Sequence, residues 1–170
     1  MSTDPAVGPA AETAVTALTS GVDAPTFRVW LSLVHAYGHL SKSLDRALAR
    51  EFGISLVWFE LLARLNSAAE GRLRLSRLSQ DLVVSKASVT KLVDRMERAG
   101  LVRRESAPED RRAVYAVLTP DGRAALAEAL PQQVRNVRQA FSERLDGEQL
   151  DSLETLLDTV VRGFDPDWRP

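Results

Sequence analysis

The chain has 170 residues and a mass of 18.7 kDa, a size at which one domain buries a core without a metal or disulfide. It contains no cysteine, which excludes a disulfide framework, a thiolate zinc site, a cysteine nucleophile and a thiol redox sensor. No apolar stretch approaches the roughly 18 residues that span a bilayer, and no basic start precedes an apolar block at the N-terminus. We therefore expect a cytoplasmic protein with no membrane partner.

The net charge of −1 conceals an uneven distribution. Residues 71–119 carry 11 basic and 6 acidic residues, a net of +5, and the remainder carries 11 basic and 17 acidic residues, a net of −6. A basic segment in a near-neutral chain favours nucleic acid or an acidic surface as its partner. Charge alone fits a solvated face equally well, so the motifs must decide.

The N-terminal third predicts a tail followed by a long helix. Residues 1–24 have no sustained period and are expected to form a flexible tail. From Pro25 onward apolar residues recur at steps of three and four, which predicts a helix that Gly53 ends. The apolar residues cover a broad sector of this helix, so we expect it to pack on two sides, against its own domain and against a partner chain.

The middle of the chain predicts a helix-turn-helix. A helix over 56–69 is followed by a short helix over 76–82 with Ser76 as its N-cap, and then, after a tight turn, by a helix over 86–99 with Ser85 as its N-cap. Gly100 lies where a left-handed C-cap is expected, so the last of these helices has a defined end. Two short helices joined by a tight turn, with a polar and basic face on the second, are typical of this motif. The apolar residues expected inside are Phe59, Leu62, Leu65, Leu75, Leu78, Leu82, Val89, Leu92, Val93 and Met96.

After Gly100 the pattern changes from helix to strand. Residues 101–105 predict a strand, and residues 113–118 alternate, with Val114, Ala116 and Leu118 on one side. The segment 106–112 between them has turn formers and charges, and its only apolar residue is an alanine. We expect a hairpin with a charged tip.

The C-terminal third predicts two further helices. Thr119 and Pro120 form an N-cap and first helical position, and the helix should continue to about residue 145 with a kink or a split at Pro131. Asp146 starts a last helix with a capping box. Its apolar residues form a seam of Leu150, Leu153, Leu156, Leu157, Val160, Val161 and Phe164.

In this order and spacing, the segments 75–82, 84–101, 109–112 and 117–123 resemble the MarR-type winged helix-turn-helix transcriptional regulators. The resemblance implies a mainly α fold with a small β-hairpin wing, in which a winged helix-turn-helix is flanked by long N- and C-terminal dimerisation helices. One MarR-like domain would occupy 25–170. Its dimerisation helices would lie in 25–54 and 120–170, and its DNA-binding lobe in 55–119.

The resemblance also implies a function. The chain would be a homodimer that binds an inverted repeat in double-stranded DNA, acts as a repressor, and is released by a small molecule such as an aromatic acid. Half-sites about 34 Å apart would place this repeat on one face of the duplex. No cofactor is implied, and no catalytic residue.

The DNA-binding residues implied by the resemblance lie on the second helix of the motif and on the wing. The helix would enter the major groove, where base edges can be distinguished. In the wing, Arg112 would enter the minor groove while Asp110 braces the basic side chains. A solvated turn with a local ion pair is the alternative for the wing, and a plain N-cap the alternative for Ser85. The complete set is Lys86, Ser88, Thr90, Lys91, Arg95, Asp110, Arg111 and Arg112.

Five residues are candidates for the effector site that the family carries between its dimerisation helices and its DNA-binding lobe. Each also has a structural interpretation: Trp30 in a core, for example, or Trp58 as a cover beside Phe59. The pair at i and i+4 on the first helix suits a metal ion, but no third ligand is fixed by spacing, so no metal site is predicted. The five candidates are Trp30, His35, His39, Trp58 and Arg64.

Two other classes of function compete. An enzyme is disfavoured because the chain has no nucleophile elbow, no Gly-rich phosphate loop and no His-Glu-x-x-His motif. A winged-helix module that binds protein without specific DNA binding should carry apolar hot-spot residues on its wing and outer helix face. Those positions hold Arg, Lys, Ser and Thr in this chain, which favours DNA.

Overall fold

The computed structural model describes residues 23–82, 84–106 and 113–166. These residues form six α-helices, one short 3-10 helix and three strands. In chain order they are α1 (Ala24–Phe52), α2 (Leu56–Ser67), the 3-10 helix (Ala69–Gly71), β1 (Arg72–Arg74), α3 (Leu75–Asp81), α4 (Lys86–Arg98), β2 (Val102–Ser106), β3 (Val114–Leu118), α5 (Pro120–Ala140) and α6 (Gly147–Arg162). The mainly helical fold with a small antiparallel sheet agrees with the predicted fold class.

The chain divides into two compact units within α1, one ending at Lys42 and the other beginning at Ser43. The described part of the first unit is the N-terminal portion of α1, and most of its large apolar side chains are exposed, while Phe27, Leu31 and Leu40 are half-buried. Trp30 is among them with 48% of its surface exposed, so the prediction that it lies in a core is wrong for this chain alone. The exposed set is Val29, Trp30, Leu33, Val34 and Tyr37. The domain limits at 24/25, 54/55 and 119/120 stay a prediction.

The second unit contains the hydrophobic core. Helices α2, α3 and α4 contribute most of it, and α5 covers it with Leu126 and Ala129. Burying one such aliphatic side chain contributes about 1.5–3 kcal/mol before chain entropy is counted. The predicted inward residues are confirmed: Phe59, Leu62, Leu65, Leu78, Val89, Leu92, Val93 and Met96 are buried, and Leu75 and Leu82 pack against them half-buried.

A three-stranded antiparallel sheet with the order β1-β3-β2 lies beside the helices. Strands β2 and β3 form the predicted hairpin, while β1 has only three residues, Arg-Leu-Arg, which is too short for alternation to indicate a strand in the sequence. The predicted alternation of β3 places Val117 and Leu118 on opposite faces, and both are buried. Val117 lies between Arg72 of β1 and Arg103 of β2 in the sheet register.

Local capping signals in the sequence are confirmed at three helices. The side chains of Ser85, Thr119 and Asp146 accept hydrogen bonds from backbone N–H groups in the first turns of α4, α5 and α6, and Asp146 forms a complete capping box. Gly53 and Gly100 have φ of 67° and 75°, the left-handed conformation expected where α1 and α4 end.

Two local predictions are wrong. Ser76 is not an N-cap, because β1 leads directly into α3 and the helix begins one residue earlier, with Arg74 at the cap position and no capping side chain. Of the kink or split expected at Pro131, helix α5 shows no split, and it ends at Ala140, short of the predicted residue 145. Proline inside a helix costs about 3 kcal/mol. Leu126 and Ala129 hold the part of the helix before Pro131 in the core, whereas Gln133 after it is buried with its Oε1 lacking a hydrogen-bond partner among the described residues.

Candidate nucleic-acid interface

Helix α4 has one buried face and one exposed face. Its large apolar residues all lie in the core, whereas Ala87 is exposed together with the five predicted DNA-contacting residues: Lys86, Ser88, Thr90, Lys91 and Arg95. A helix of this kind fits the major groove of B-DNA, which is about 12 Å wide. The arrangement provides three cationic groups and two hydroxyl groups on one exposed surface.

Hydrogen bonds within the helix limit what these hydroxyl groups can offer. The Ser85 Oγ accepts from the Ser88 backbone N–H at 3.1 Å and lies 2.8 Å from the Ser88 Oγ, so the two hydroxyls share a hydrogen bond. The Thr90 hydroxyl donates to the Lys86 carbonyl oxygen at 3.0 Å. A hydroxyl has a single donor hydrogen, so Thr90 presents only an acceptor and a methyl group outward.

Arg104 of β2 joins the hairpin to α4. Its guanidinium pairs with the Asp94 carboxylate, lies 3.6 Å from the Glu97 Oε2, and donates to the Thr90 carbonyl oxygen at 3.0 Å. Its backbone N–H donates to the Glu97 Oε1 at 2.8 Å. The side chain is only 28% exposed, so these contacts are partly shielded from water.

The opposite face of the sheet carries a second group of charged residues. Arg72 and Arg74 of β1 lie over the ring of Tyr115 on β3, at 5.3 and 5.5 Å from its centroid, and Arg74 donates to the Tyr115 hydroxyl at 2.9 Å. Arg72 and Arg103 pair with Glu105. Several arginines of the basic segment 71–119 are thus already partnered within the protein, which lowers the positive charge available to an external anion.

Arg64, a predicted effector residue, connects α2 to α3. Its guanidinium donates to the Glu60 carbonyl oxygen at 3.2 Å and to the Asp81 carbonyl oxygen at 2.9 Å. Asp81 is the last residue of α3, so Arg64 satisfies a carbonyl that the helix itself leaves unpaired. Burial raises the pKa of the Glu60 carboxyl, and the positive charge of Arg64 opposes that shift.

The other predicted effector residues are divided between the two units of the chain. His35 and His39 are exposed on α1 with their rings stacked 6.4 Å apart, and Trp30 is exposed on the same helix. Trp58 is half-buried against the core of the second unit. Within the described ranges, no group of three His, Asp or Glu residues could hold a metal ion.

Three comparisons with known proteins agree. A model described as the MarR family matches residues 52–113. The HTH-type transcriptional repressor YetL of Bacillus subtilis is 30% identical over 141 residues, which cover 81% of each chain. Sco3205 of Streptomyces coelicolor, a MarR family transcriptional regulator solved in complex with DNA, superposes with a TM-score of 0.80 and is 35% identical, covering 86% of this chain and 91% of that one. This chain belongs to the MarR family.

Transcriptional repressor MprA of Escherichia coli K12, 28% identical over 132 residues, is a further relative, with 78% of this chain and 74% of that one covered. As a MarR-family member the chain is a DNA-binding transcriptional regulator. Regulators of this family are not enzymes, which confirms that prediction. The predicted wing residues Asp110, Arg111 and Arg112 lie outside the described residues. No helix in the described ranges is long and apolar enough to cross a membrane.

Sequence reasoning about this MarR-family chain missed the role of Arg104, which was counted only as part of the basic segment. The signal that could have revealed it is the stripe formed by Thr90, Asp94 and Glu97, four and three residues apart and therefore on one side of α4. Two carboxylates on that side of a basic lobe favour a cation opposite them. The first strand of the hairpin supplies it.

Proposed function

We propose that this MarR-family regulator is a homodimeric repressor that binds an inverted-repeat operator and is released by a small anionic ligand. The observation that supports DNA binding is the division of α4 into a buried face of Val89, Leu92, Val93 and Met96 and an exposed face of mostly hydroxyl and cationic groups. Within α4 the only apolar residue on the exposed face is Ala87, which is too small to anchor a protein partner, and the face has the donors that phosphates and base edges accept.

The proposed division of labour follows from the positions of the side chains. Ser88, Thr90 and Lys91 contact base edges, while Lys86 and Arg95 contact phosphates. Because the Thr90 hydroxyl donates inward, Thr90 accepts a hydrogen bond from an adenine or cytosine amino group or contacts a thymine methyl group, and it disfavours guanine. Arg112 enters the minor groove beside this helix, and Asp110 and Arg111 support it.

Dimerisation is supported by the apolar surface of the C-terminal helices. No residue of α6 is buried within the chain, although Leu156, Leu157 and Val160 are apolar, and Leu130 and Val134 of α5 are also exposed. A monomer with such surfaces would expose an extensive apolar patch to water. A twofold dimer would bury that patch and would place two DNA-binding lobes on one duplex.

Ligand release is proposed to act through Arg64. Only two of its five N–H donors are assigned to backbone carbonyls, so an anionic group such as an aromatic carboxylate can bind the others. A ligand that draws Arg64 away from the Asp81 carbonyl would free the end of α3 and shift the turn that leads into α4. Trp58 lies on the same helix as Arg64, and Trp30, His35 and His39 remain further proposed ligand residues from the family resemblance.

The release model is tested by adding a panel of aromatic carboxylic acids to the protein bound to labelled operator DNA. At least one acid should lower operator occupancy in the wild type and lose that effect in Arg64→Lys, which keeps the charge but not the forked geometry. If an active acid works equally well on both proteins, Arg64 is not the ligand contact.

The DNA-binding model is tested with Arg112→Ala on an operator selected from a random duplex library by the wild-type protein. Loss of an inserted arginine should weaken binding by about 1–3 kcal/mol and lower the slope of log affinity against log salt by about one. Arg50→Ala is the matched control, because Arg50 is an exposed arginine on α1 paired with Glu51. Unchanged affinity and slope for Arg112→Ala would contradict insertion of the wing.

A further inference from the structure

Arg104 is placed to hold α4 against the hairpin. In the sheet register it lies opposite Ala116, which is fully buried, so its side chain leaves the sheet on the face that packs against the helices. From there it reaches three successive positions on one side of α4: the Thr90 carbonyl, the Asp94 carboxylate and the Glu97 carboxylate. These contacts span seven residues, about two turns of the helix.

The three contacts constrain α4 in two ways. The bond to the Thr90 carbonyl sets how far α4 extends along the strand, and the carboxylate contacts set its rotation about its own axis. Glu97 also accepts from the Arg104 backbone N–H at 2.8 Å, so this part of the connection does not depend on the arginine side chain alone. A guanidinium suits this role because its planar fork donates in several directions at once.

We propose that Arg104 is a positioning residue for DNA recognition: it sets the rotation and depth of α4 relative to the wing, and it makes no phosphate contact of its own. This inference rests on the proposed binding of DNA by α4 and goes beyond it, because it assigns one basic residue of the +5 segment to specificity instead of to electrostatic attraction. The residue that Arg104 holds by its carbonyl, Thr90, is also one of the proposed base contacts. Any rotation of α4 would therefore misplace that contact directly.

Two variants with opposite effects on the net charge test the positioning role. Arg104→Ala removes a positive charge, and Asp94→Asn removes a negative charge from the same contact while the helix keeps a side chain of the same shape. A purely electrostatic role for this part of the lobe predicts weaker DNA binding for Arg104→Ala and tighter binding for Asp94→Asn. A positioning role predicts weaker operator binding for both.

Affinity is measured on the selected operator and on a scrambled duplex of equal length, over a series of salt concentrations. We expect each variant to lose about tenfold in operator affinity. The ratio of operator to scrambled affinity should fall, and the salt slope should stay at the wild-type value because no phosphate contact is lost. Arg104→Lys should recover part of the ratio, since it restores the charge and a single donor.

Arg103→Ala is the matched control. Arg103 precedes Arg104 in the same strand, pairs with Glu105 and faces the other side of the sheet, so it tests the loss of a neighbouring arginine without the contact to α4. It should keep the operator-to-scrambled ratio of the wild type. Thermal unfolding of each variant identifies any that fail to fold, and Asp94→Asn then decides in place of Arg104→Ala.

Three results distinguish a failure of the proposed function from a failure of the positioning role of Arg104. If the wild type selects no sequence from the library, the proposed function fails and Arg104 is not at issue. If the wild type selects an operator but Asp94→Asn binds it as well or better, the positioning role is overturned. A salt slope that falls by about one in Arg104→Ala would instead identify Arg104 as a phosphate contact.

Discussion

Helices α4 and α6 are both amphipathic, yet they differ in which face is buried. The apolar side of α4 is completely buried and its polar side faces solvent, whereas α6 has no buried residue and exposes Leu156 and Val160. An exposed polar and cationic face suits an anionic, hydrated partner such as DNA, and an exposed apolar face suits another protein surface. The chemical character of the face that each helix exposes therefore distinguishes the two proposed partners, DNA for α4 and a second protein chain for α6.

The largest loss of stability is expected from a substitution where the second unit is most tightly packed, at Gly122. It lies in the first turn of α5, where Thr119 both caps the helix and donates to the Gly100 carbonyl oxygen at 2.7 Å. A Cβ at position 122 would overlap the Leu101 carbonyl oxygen and lie 2.9 Å from the Leu118 Cδ1.

Gly122→Ala should therefore lower the free energy of unfolding by about 3 kcal/mol or more, because backbone atoms must move to admit one methyl group. Urea denaturation measures the change. Gly147→Ala is the matched control: nothing lies within 4 Å of its added Cβ, and its helical position should make the substitution neutral or slightly stabilising. Equal stability of the two variants would show that α5 does not seat against the α4–β2 turn as described.

Charged residues on the exposed apolar face of α6 should disrupt the proposed dimer. Leu156 and Val160 are 65% and 50% exposed in the single chain, so replacing both with lysine leaves the core of the chain intact. In the proposed dimer the same charges would enter an apolar interface without partners, at a cost of several kcal/mol. Leu156→Lys/Val160→Lys should sediment as a folded monomer at concentrations where the wild type is a dimer.

The control for that pair is Thr155→Lys, which adds a charge to the neighbouring face of α6, where Asp151 and Asp158 are close in the helix. It should leave the dimer unchanged. A double variant that remains dimeric would place the interface elsewhere, and deletion of residues 146–170 would then test whether α6 contributes to it at all.

The parts of the fold that the sequence predicts are those set within a few residues. Ser85, Thr119 and Asp146 cap helices because a short side chain reaches the N–H three residues on, whatever surrounds it. The turns at Gly53 and Gly100 are fixed in the same way by a left-handed φ.

The parts that escape prediction depend on contacts between elements distant in the chain. Helix α5 passes through Pro131 while Leu126 and Ala129 before it pack in the core, and β1 forms because β3 supplies its hydrogen bonds. At the candidate site, the exposure of Lys91 and Arg95 followed from helical periodicity. The commitment of Arg104 and Arg64 to neighbouring elements did not, since it depends on sheet register and on helix packing.

The smallest expected effect is a pH dependence of stability caused by Glu60. Glu60 is half-buried on α2, and burial raises the pKa of its carboxyl above its ordinary value of 4.5, against the attraction of Arg64. In the folded state the group therefore holds its proton to higher pH than in the unfolded state. As pH rises from 4.5 through the folded pKa, the unfolded chain loses the proton first, so ionisation of Glu60 lowers the stability of the lobe over that window.

Glu60→Gln removes this ionisation and keeps the shape of the side chain. Its stability should fall less than that of the wild type as pH rises above 4.5, and at neutral pH it should equal or slightly exceed the wild type. Urea denaturation at several pH values between 4 and 7 measures the difference, with Glu128→Gln, an exposed carboxyl on α5, as the control. If Glu60→Gln is instead less stable than the wild type at neutral pH, the attraction between the Glu60 carboxylate and Arg64 outweighs the cost of burial, and the ion pair supports the same Arg64 that caps α3.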